Sequence, residues 1–240
     1  DGVFLWSRIL GNNGEANSVA SFSNGSSVVT GYNNTDAFIA KLNAGGSPIW
    51  NITPVRNELG DMTSIGKGVV ALADGSSIVT GCFSGSLIFG NQTLTSQGDL
   101  DIFIAKVNAD GTFAWATRAG GFGRDSGNGI SVFTDGSVII TGGFEGSALF
   151  GDKKIESNGG SDIFVAKLNA IGEFDWVTSA GSTGYSSDDY GYSVSINDNG
   201  SSLITGSFKG STNFGSTNLT AGDANGDIFA AKLTANGSFE

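Results

Sequence analysis

Residues 129–133, "GISVF", alternate between apolar and small or polar side chains, the period-two pattern of a strand with one apolar face. Asp135-Gly136 follows as a tight turn, since glycine takes positive φ without steric cost. "SVIITGGF" (137–144) is a β-branched apolar run, as expected of a strand covered on both faces. "DIFVAKLNA" (162–170) alternates again, with Ile163, Val165 and Lys167 on one face and Phe164, Ala166 and Leu168 on the other. After an "IGE" turn, "FDWVTSA" (174–180) reads as a fourth strand. The pattern predicts four consecutive antiparallel strands.

The pattern recurs. "DAFIAKLNA" begins at Asp36, "DIFIAKVNA" at Asp101, "DIFVAKLNA" at Asp162 and "DIFAAKLTA" at Asp227, at spacings of 65, 61 and 65 residues. Asn24-Gly25, Asp74-Gly75, Asp135-Gly136 and Asn199-Gly200 repeat the turn, each followed by a "TG"-bearing strand. "GVFLW" (2–6), "GTFAW" (111–115) and "GEFDW" (172–176) repeat the aromatic ending, with "SPIW" (47–50) as the variant. Three units carry an extra Phe-Gly hairpin, at 86–96, 148–157 and 212–221; the first does not. The units span approximately 7–50, 51–115, 116–176 and 177–240.

An all-β fold follows. Each unit reads as a four-stranded antiparallel blade of a β-propeller, three with an added hairpin. A blade with two apolar faces needs a like neighbour on each, so the repeated words are repeated packing surfaces. Within each nine-residue block, Asp36, Asp101, Asp162 and Asp227 stand five residues before Lys41, Lys106, Lys167 and Lys232, hence on the opposite face. They are expected to pair with other strands or cap turns. Gly2-Val3-Phe4 and Gly237-Ser238-Phe239 lie in the same phase of the repeat, and the chain begins with Asp1 rather than Met. The expectation is a segment of a longer propeller, a processed product or a piece of a longer chain.

Composition narrows the chemistry. There are 39 glycines, 2 prolines and 15% charged residues, too apolar for disorder and too glycine-punctuated for helices. The net charge of −11 disfavours nucleic acid and anionic lipid as partners. No stretch is apolar for long enough to cross a membrane, so no membrane insertion is expected. The absence of His removes His-dependent triads, His metal sites and imidazole acid–base pairs. Cys82 is the one cysteine; it forms no internal disulfide and reads as a small buried filler.

"GNGISVFTDGSVIITGGFEG" followed by "SDIFVAKLNAIGEFDW" resembles the bacterial SBBP-type β-propeller repeat, a glycine-punctuated "VTG" segment and then a "D-x-F-V-A-K-L…W" segment. The resemblance covers nearly all of the chain in four copies; the missing first hairpin and "SPIW" depart from it. It implies a secreted or cell-surface bacterial protein, often part of a very long chain, and no shared reaction.

Two stretches attract a site. "DANGDIF" places Asp223, Asn225 and Asp227 at positions one, three and five, the spacing of oxygen ligands in a calcium loop, but position six is Ile228 and position twelve Leu233, where such loops have Gly and Glu. Ca2+ in the last unit is therefore the one cofactor to consider, against a plain polar turn. "GSTGYSSDDYGYS" (181–193) is the most irregular junction between units, and with Asp125 of the preceding junction it supplies Asp188, Asp189 and Tyr190 as candidate ligand-binding residues on a rim. Glu15, Glu58 and Asp61 occupy the other junctions, so convergence would make an acidic rim suited to a cation or a hydroxyl-rich glycan.

The expected function is a non-catalytic scaffold or adhesion module that binds an extracellular glycan or protein surface. One alternative is a segment that self-associates with copies of itself in a filament or stalk. Another is a polysaccharide-active enzyme using paired rim carboxylates. Against the enzyme, carboxylates recur at every junction and no "S-x-D-x-G-x-x-W" box is present. Seven Asn-x-Ser/Thr sequons, among them Asn24 and Asn199 in turns, mark exposed segments.

Overall fold

The computed structural model describes residues 5–57, 63–184, 187–223 and 225–240. The all-β expectation holds: the described elements are twenty strands, and every ladder between named strands is antiparallel. Unit 1 contributes β1 (Gly14–Ser21), β2 (Ser27–Asn33), β3 (Asp36–Leu42) and β4 (Pro48–Ile52), paired in chain order. Unit 2 contributes β5 (Val55–Arg56), β6 (Ser64–Ala71), β7 (Ser77–Phe83), β8 (Ser86–Phe89), β9 (Gln92–Thr95), β10 (Asp101–Val107) and β11 (Phe113–Gly121). Unit 3 contributes β12 (Ser126–Val132), β13 (Val138–Phe150), β14 (Lys153–Leu168) and β15 (Phe174–Ala180). Unit 4 contributes β16 (Tyr190–Ile196), β17 (Ser202–Phe208), β18 (Ser211–Phe214), β19 (Thr217–Thr220) and β20 (Asp227–Leu233).

The hairpins depart from the simple picture of one sheet per unit. In unit 3 the added hairpin is a continuous extension of β13 and β14, and its residues Ala148–Phe150 pair with Ala119–Gly121 of β11. That ladder fuses units 2 and 3 into one eight-stranded sheet. In unit 2 the hairpin pairs with β5, and in unit 4 it stands as its own two-stranded ribbon.

Local chemistry explains the repeated turns. Gly136 sits at φ +84, and the Ser137 N–H and Oγ both donate to Asp135 Oδ1, at 2.9 and 2.6 Å. The same side-chain clamp closes the Asn24/Ser26, Asp74/Ser76 and Asn199/Ser201 turns. The hairpins exist to deliver a phenylalanine. Phe89, Phe150 and Phe214 lie 5.5, 4.9 and 4.7 Å from Phe103, Phe164 and Phe229, and meet Phe113, Phe174 and Phe239 edge-on at 5.2, 5.4 and 5.5 Å. Each buried ring contributes roughly 1.5–3 kcal/mol. Unit 1 has no hairpin, and there Leu10 packs beside Phe38 instead.

The units stack through their first strands, β1 on β6, β6 on β12 and β12 on β16. Each interface joins the trailing face of one unit to the leading face of the next. Ile139, Ile163 and Val165 trail unit 3 and share a core with Val194, Ile204 and Phe229 of unit 4. One interface earlier, Ile78, Ile102 and Ile104 meet Ile140, Phe164 and Ala166. Val28, Ala37 and Ile39 meet Val79, Phe103 and Ala105. Thr30, Thr80 and Thr141 are buried in these interfaces and donate to Phe38 O, Phe103 O and Phe164 O. A methyl group at Gly66, Gly127 or Gly191 of the next unit would overlap the respective hydroxyl oxygen. Cys82 is buried, as expected of a filler.

Candidate binding mouth

Every first strand carries a β-bulge at the same place. The register shifts between Ala16 and Ser18, Gly66 and Gly68, Gly127 and Gly129, and Gly191 and Ser193. The extra residues are Asn17, Lys67, Asn128 and Tyr192. A bulge leaves one residue unpaired and re-aims its side chain. Because the first strands are neighbours, all four side chains line one cavity of about 590 Å3. Tyr190, Asp125, Arg124 and Ser126 also line it.

The bulge residues are linked around the mouth. The Asn17 amide donates to Gly66 O at 2.9 Å, Lys67 Nζ to Asn128 Oδ1 at 3.1 Å, and the Asn128 amide to Gly191 O at 2.9 Å. Tyr190 and Tyr192 stack at 6.3 Å and 22°, and burial pushes the Tyr190 phenol above its ordinary pKa. Sequence reading missed Asn17, Lys67 and Asn128; each stands seven positions before the Asn or Asp of its Asn-Gly or Asp-Gly turn, but only the register with the neighbouring strand marks it as a bulge.

Of the residues expected to bind on a rim, Asp125 and Tyr190 line this cavity, whereas Asp188 and Asp189 do not. Asp125 is fully buried. It accepts the Gly121 N–H at 2.7 Å and the Glu145 N–H at 3.1 Å. Burial pushes its carboxyl up to about 7, opposed by these two amides and reinforced by Asp101 and Glu145. Asp189 occupies the same position one unit later. It accepts the Ser182 and Lys209 N–H groups, each at 2.7 Å, and the Thr212 hydroxyl at 3.3 Å. Both carboxylates thus staple a junction to the following hairpin. Asp188 accepts the Ser161 N–H at 3.2 Å, and Glu15 is exposed on β1. Glu58 and Asp61 lie outside the described residues. Among the described residues the cavity is lined by Lys67, Arg124 and one buried carboxyl, Asp125, with Arg124 ion-paired to Asp99 at 3.2 Å.

The strand-opening aspartates cap turns. Asp101, Asp162 and Asp227 accept the N–H of Gln97, Asn158 and Gly222, at 3.2, 2.9 and 2.9 Å. Asp36 pairs with Arg56 at 2.5 Å and Asp101 with Arg118. Asp162 is fully buried, its Oδ1 has no hydrogen-bond partner among the described residues, and burial, with Asp189 adding, pushes it up to about 6. In the calcium-like loop, Asp223 Oδ1 accepts the Asn225 N–H at 2.7 Å while Asp227 holds Gly222, so both carboxylates shape the turn. Among the described residues no group of three or more Cys, Asp or Glu side chains is placed to hold a metal ion. Among them, too, no helix is long and apolar enough to cross a membrane.

No family model matches the chain. No curated protein matches it either. Among solved structures, a protein of unknown function from Bacteroides caccae is similar at 16% identity with a TM-score of 0.45, covering 97% of this chain. The chain spans 65% of the length of that protein.

Proposed function

We propose that the chain is a non-catalytic β-propeller segment of a secreted or cell-surface bacterial protein, of the SBBP repeat type, that binds a hydroxyl-rich glycan bearing a carboxylate in the bulge-lined mouth. The observation that carries this reading is the convergence of Asn17, Lys67, Asn128 and Tyr192, one bulge residue from each unit, on a single cavity. Face-to-face stacking through the first strands supports a propeller arrangement, since radial stacking brings equivalent positions to one axis. Stacked phenols give a platform for a sugar ring, and the Asn17 and Asn128 amides each carry a second N–H, beyond the one given to Gly66 O or Gly191 O, that suits a ligand hydroxyl. Lys67 supplies positive charge at the mouth of a protein whose net charge is −11, while Arg124 is ion-paired with Asp99 at 3.2 Å. A carboxylate-bearing sugar is the ligand class that uses both features.

A non-catalytic role is supported by the state of Asp125, whose two oxygens are already committed to backbone amides. A glycosidase needs two carboxyl groups free to act on the scissile bond. Calorimetric titration with uronic-acid oligosaccharides and with their carboxyl-reduced counterparts tests the reading. Heat is expected with the acidic set and at least about tenfold weaker binding with the reduced set, the worth of one charge-assisted contact. Equal binding of both sets removes the carboxylate from the proposal, and no heat with either removes the glycan. A parallel calcium titration tests the Asp223–Asn225–Asp227 loop.

A further inference from the structure

The junctions between units 2 and 3 and between units 3 and 4 each hold a pair of aspartates on the same backbone frame. Asp101 packs against Gly120 and Asp162 against Gly181: a methyl group on either glycine would fall 3.1 Å from the Asp101 Cγ or 1.9 Å from the Asp162 Cγ. The residue before each of these aspartates accepts a main-chain hydrogen bond from the second member of the pair. Leu100 O accepts the Asp125 N–H at 2.7 Å, and Ser161 O accepts the Asp189 N–H at 2.6 Å. All four aspartates are fully buried.

The pairs differ in how their charge is met. Arg118 stands two residues before Gly120, on the same face of β11, and its guanidinium reaches Asp101. Ser179 stands two residues before Gly181 and brings no charge. Among the described residues no Lys or Arg side chain forms an ion pair with Asp162 or Asp189. Oxygen donors are left over at the same place. Asp162 Oδ1 and Ser182 Oγ, in residues 0% and 1% exposed, have no hydrogen-bond partner among the described residues. The Ser182 N–H donates to Asp189 Oδ2 at 2.7 Å, which keeps Ser182 beside the second carboxylate. A carboxylate offers about four lone-pair sites. Asp189 already accepts three hydrogen bonds, so Asp162 has the greater capacity to spare.

A buried charge is met by a counter-charge or by a metal. We propose that the junction between units 3 and 4 binds one hard divalent cation of the Ca2+ type, in the place that the Arg118 guanidinium takes one junction earlier. Asp162 is its main ligand, the Ser182 hydroxyl is a second, and Asp189 adds negative charge close by. These donors are all oxygen, the set that suits Ca2+ or Mg2+ rather than a metal that seeks thiolate or imidazole, and water completes the coordination. Ser179 is half-buried whereas Asp162 is fully covered, so the ion enters past Ser179. The site is distinct from the Asp223–Asn225–Asp227 loop.

Calorimetric titration of calcium into chelator-treated protein at neutral pH tests this, with the wild type, Asp162→Asn, Ser179→Arg and Asp223→Ala compared. The wild type is expected to bind one ion per chain. Asp162→Asn removes the ligand charge, and Ser179→Arg supplies the counter-charge from the chain itself. Each is expected to bind at least about tenfold more weakly, while Asp223→Ala binds as the wild type does. Ser179→Arg separates loss of the site from loss of the fold, because it keeps both carboxylates and recreates the arrangement of Asp101 with Arg118. A wild type that gives no heat would overturn the proposal, as would binding that survives unweakened in either junction variant. Binding lost in Asp223→Ala instead would place the ion in the loop and overturn it equally. Asp162, Ser179, Ser182 and Asp189 are not among the residues that line the mouth, so failure here leaves the glycan reading standing.

Discussion

The junction between units 2 and 3 and the junction between units 3 and 4 share a design and differ in one charge. In both, a buried aspartate, Asp125 or Asp189, accepts backbone N–H groups from the strand before it and from the hairpin after it. In both, a second buried aspartate, Asp101 or Asp162, stands close by. Asp101 has the Arg118 guanidinium as its counter-ion. The residue paired with Phe164, as Arg118 is with Phe103, is Ser179, and among the described residues Asp162 has no cationic partner. Both junctions keep the amide-to-carboxylate staple, and only the first keeps the ion pair. Backbone donors fixed by the fold do the structural work, and the surrounding charge is free to vary between units.

The largest effect is expected from removing a staple. Asp189→Ala strands two backbone N–H groups and one hydroxyl in a buried site and is expected to cost about 3 kcal/mol or more in urea unfolding at pH 7. Asp125→Ala strands two amides and removes a carboxyl that burial already holds half-protonated near neutrality, so its cost is smaller, about 2 kcal/mol. Equal costs would show that the third hydrogen bond and the protonation state do not matter. Next in size is Gly191→Ala, which presses a methyl group on the Thr141 hydroxyl across the second of these junctions. Unfolding experiments are expected to show a loss of about 1–3 kcal/mol.

The counter-ion difference gives the smallest effect and the clearest pH signature. Asp162 titrates at about 6 in the folded protein and near 3.9 when unfolded. Between those values the folded state holds a proton that the unfolded state has released, so stability falls as pH rises from about 4 to 6 and this contribution is level above. Asp162→Asn is expected to leave stability at pH 4 unchanged and to raise it by about 1–2 kcal/mol at pH 8. Ser179→Arg, which restores the arrangement of Asp101 and Arg118, is expected to recover about 1 kcal/mol at pH 8. Urea midpoints of the three proteins across this range decide it. A slope unaltered by Asp162→Asn would assign it to Asp125 instead, whose folded value of about 7 extends the same fall to neutral pH.

Much of the fold was legible because strand alternation and turn chemistry are local. The strands at 129–133, 162–170 and 174–180, the Asp135-Gly136 turn and the three hairpins all follow from short windows. The two-sided packing of "DIFVAKLNA" followed from its alternation, and Ile163 and Phe164 face different cores as read. The fusion of units 2 and 3 was not legible, since it depends on where a hairpin swings in space. Neither was the mouth. Carboxylates and tyrosines drew attention at 181–193, yet Asp189 is spent on backbone amides while an unremarked Asn17, Lys67 and Asn128 reach the cavity. A bulge is a matter of register between two strands, and no single strand announces it.

The measurement that bears most directly on the central claim is calorimetric titration of a uronic-acid oligosaccharide into the wild type, Tyr192→Ala, Lys67→Ala and the distant Lys153→Ala. The account predicts binding that is lost or weakened at least about tenfold in the first two variants and unchanged in the third. Binding that persists in Tyr192→Ala and Lys67→Ala would place the ligand elsewhere and contradict the shared mouth as the site.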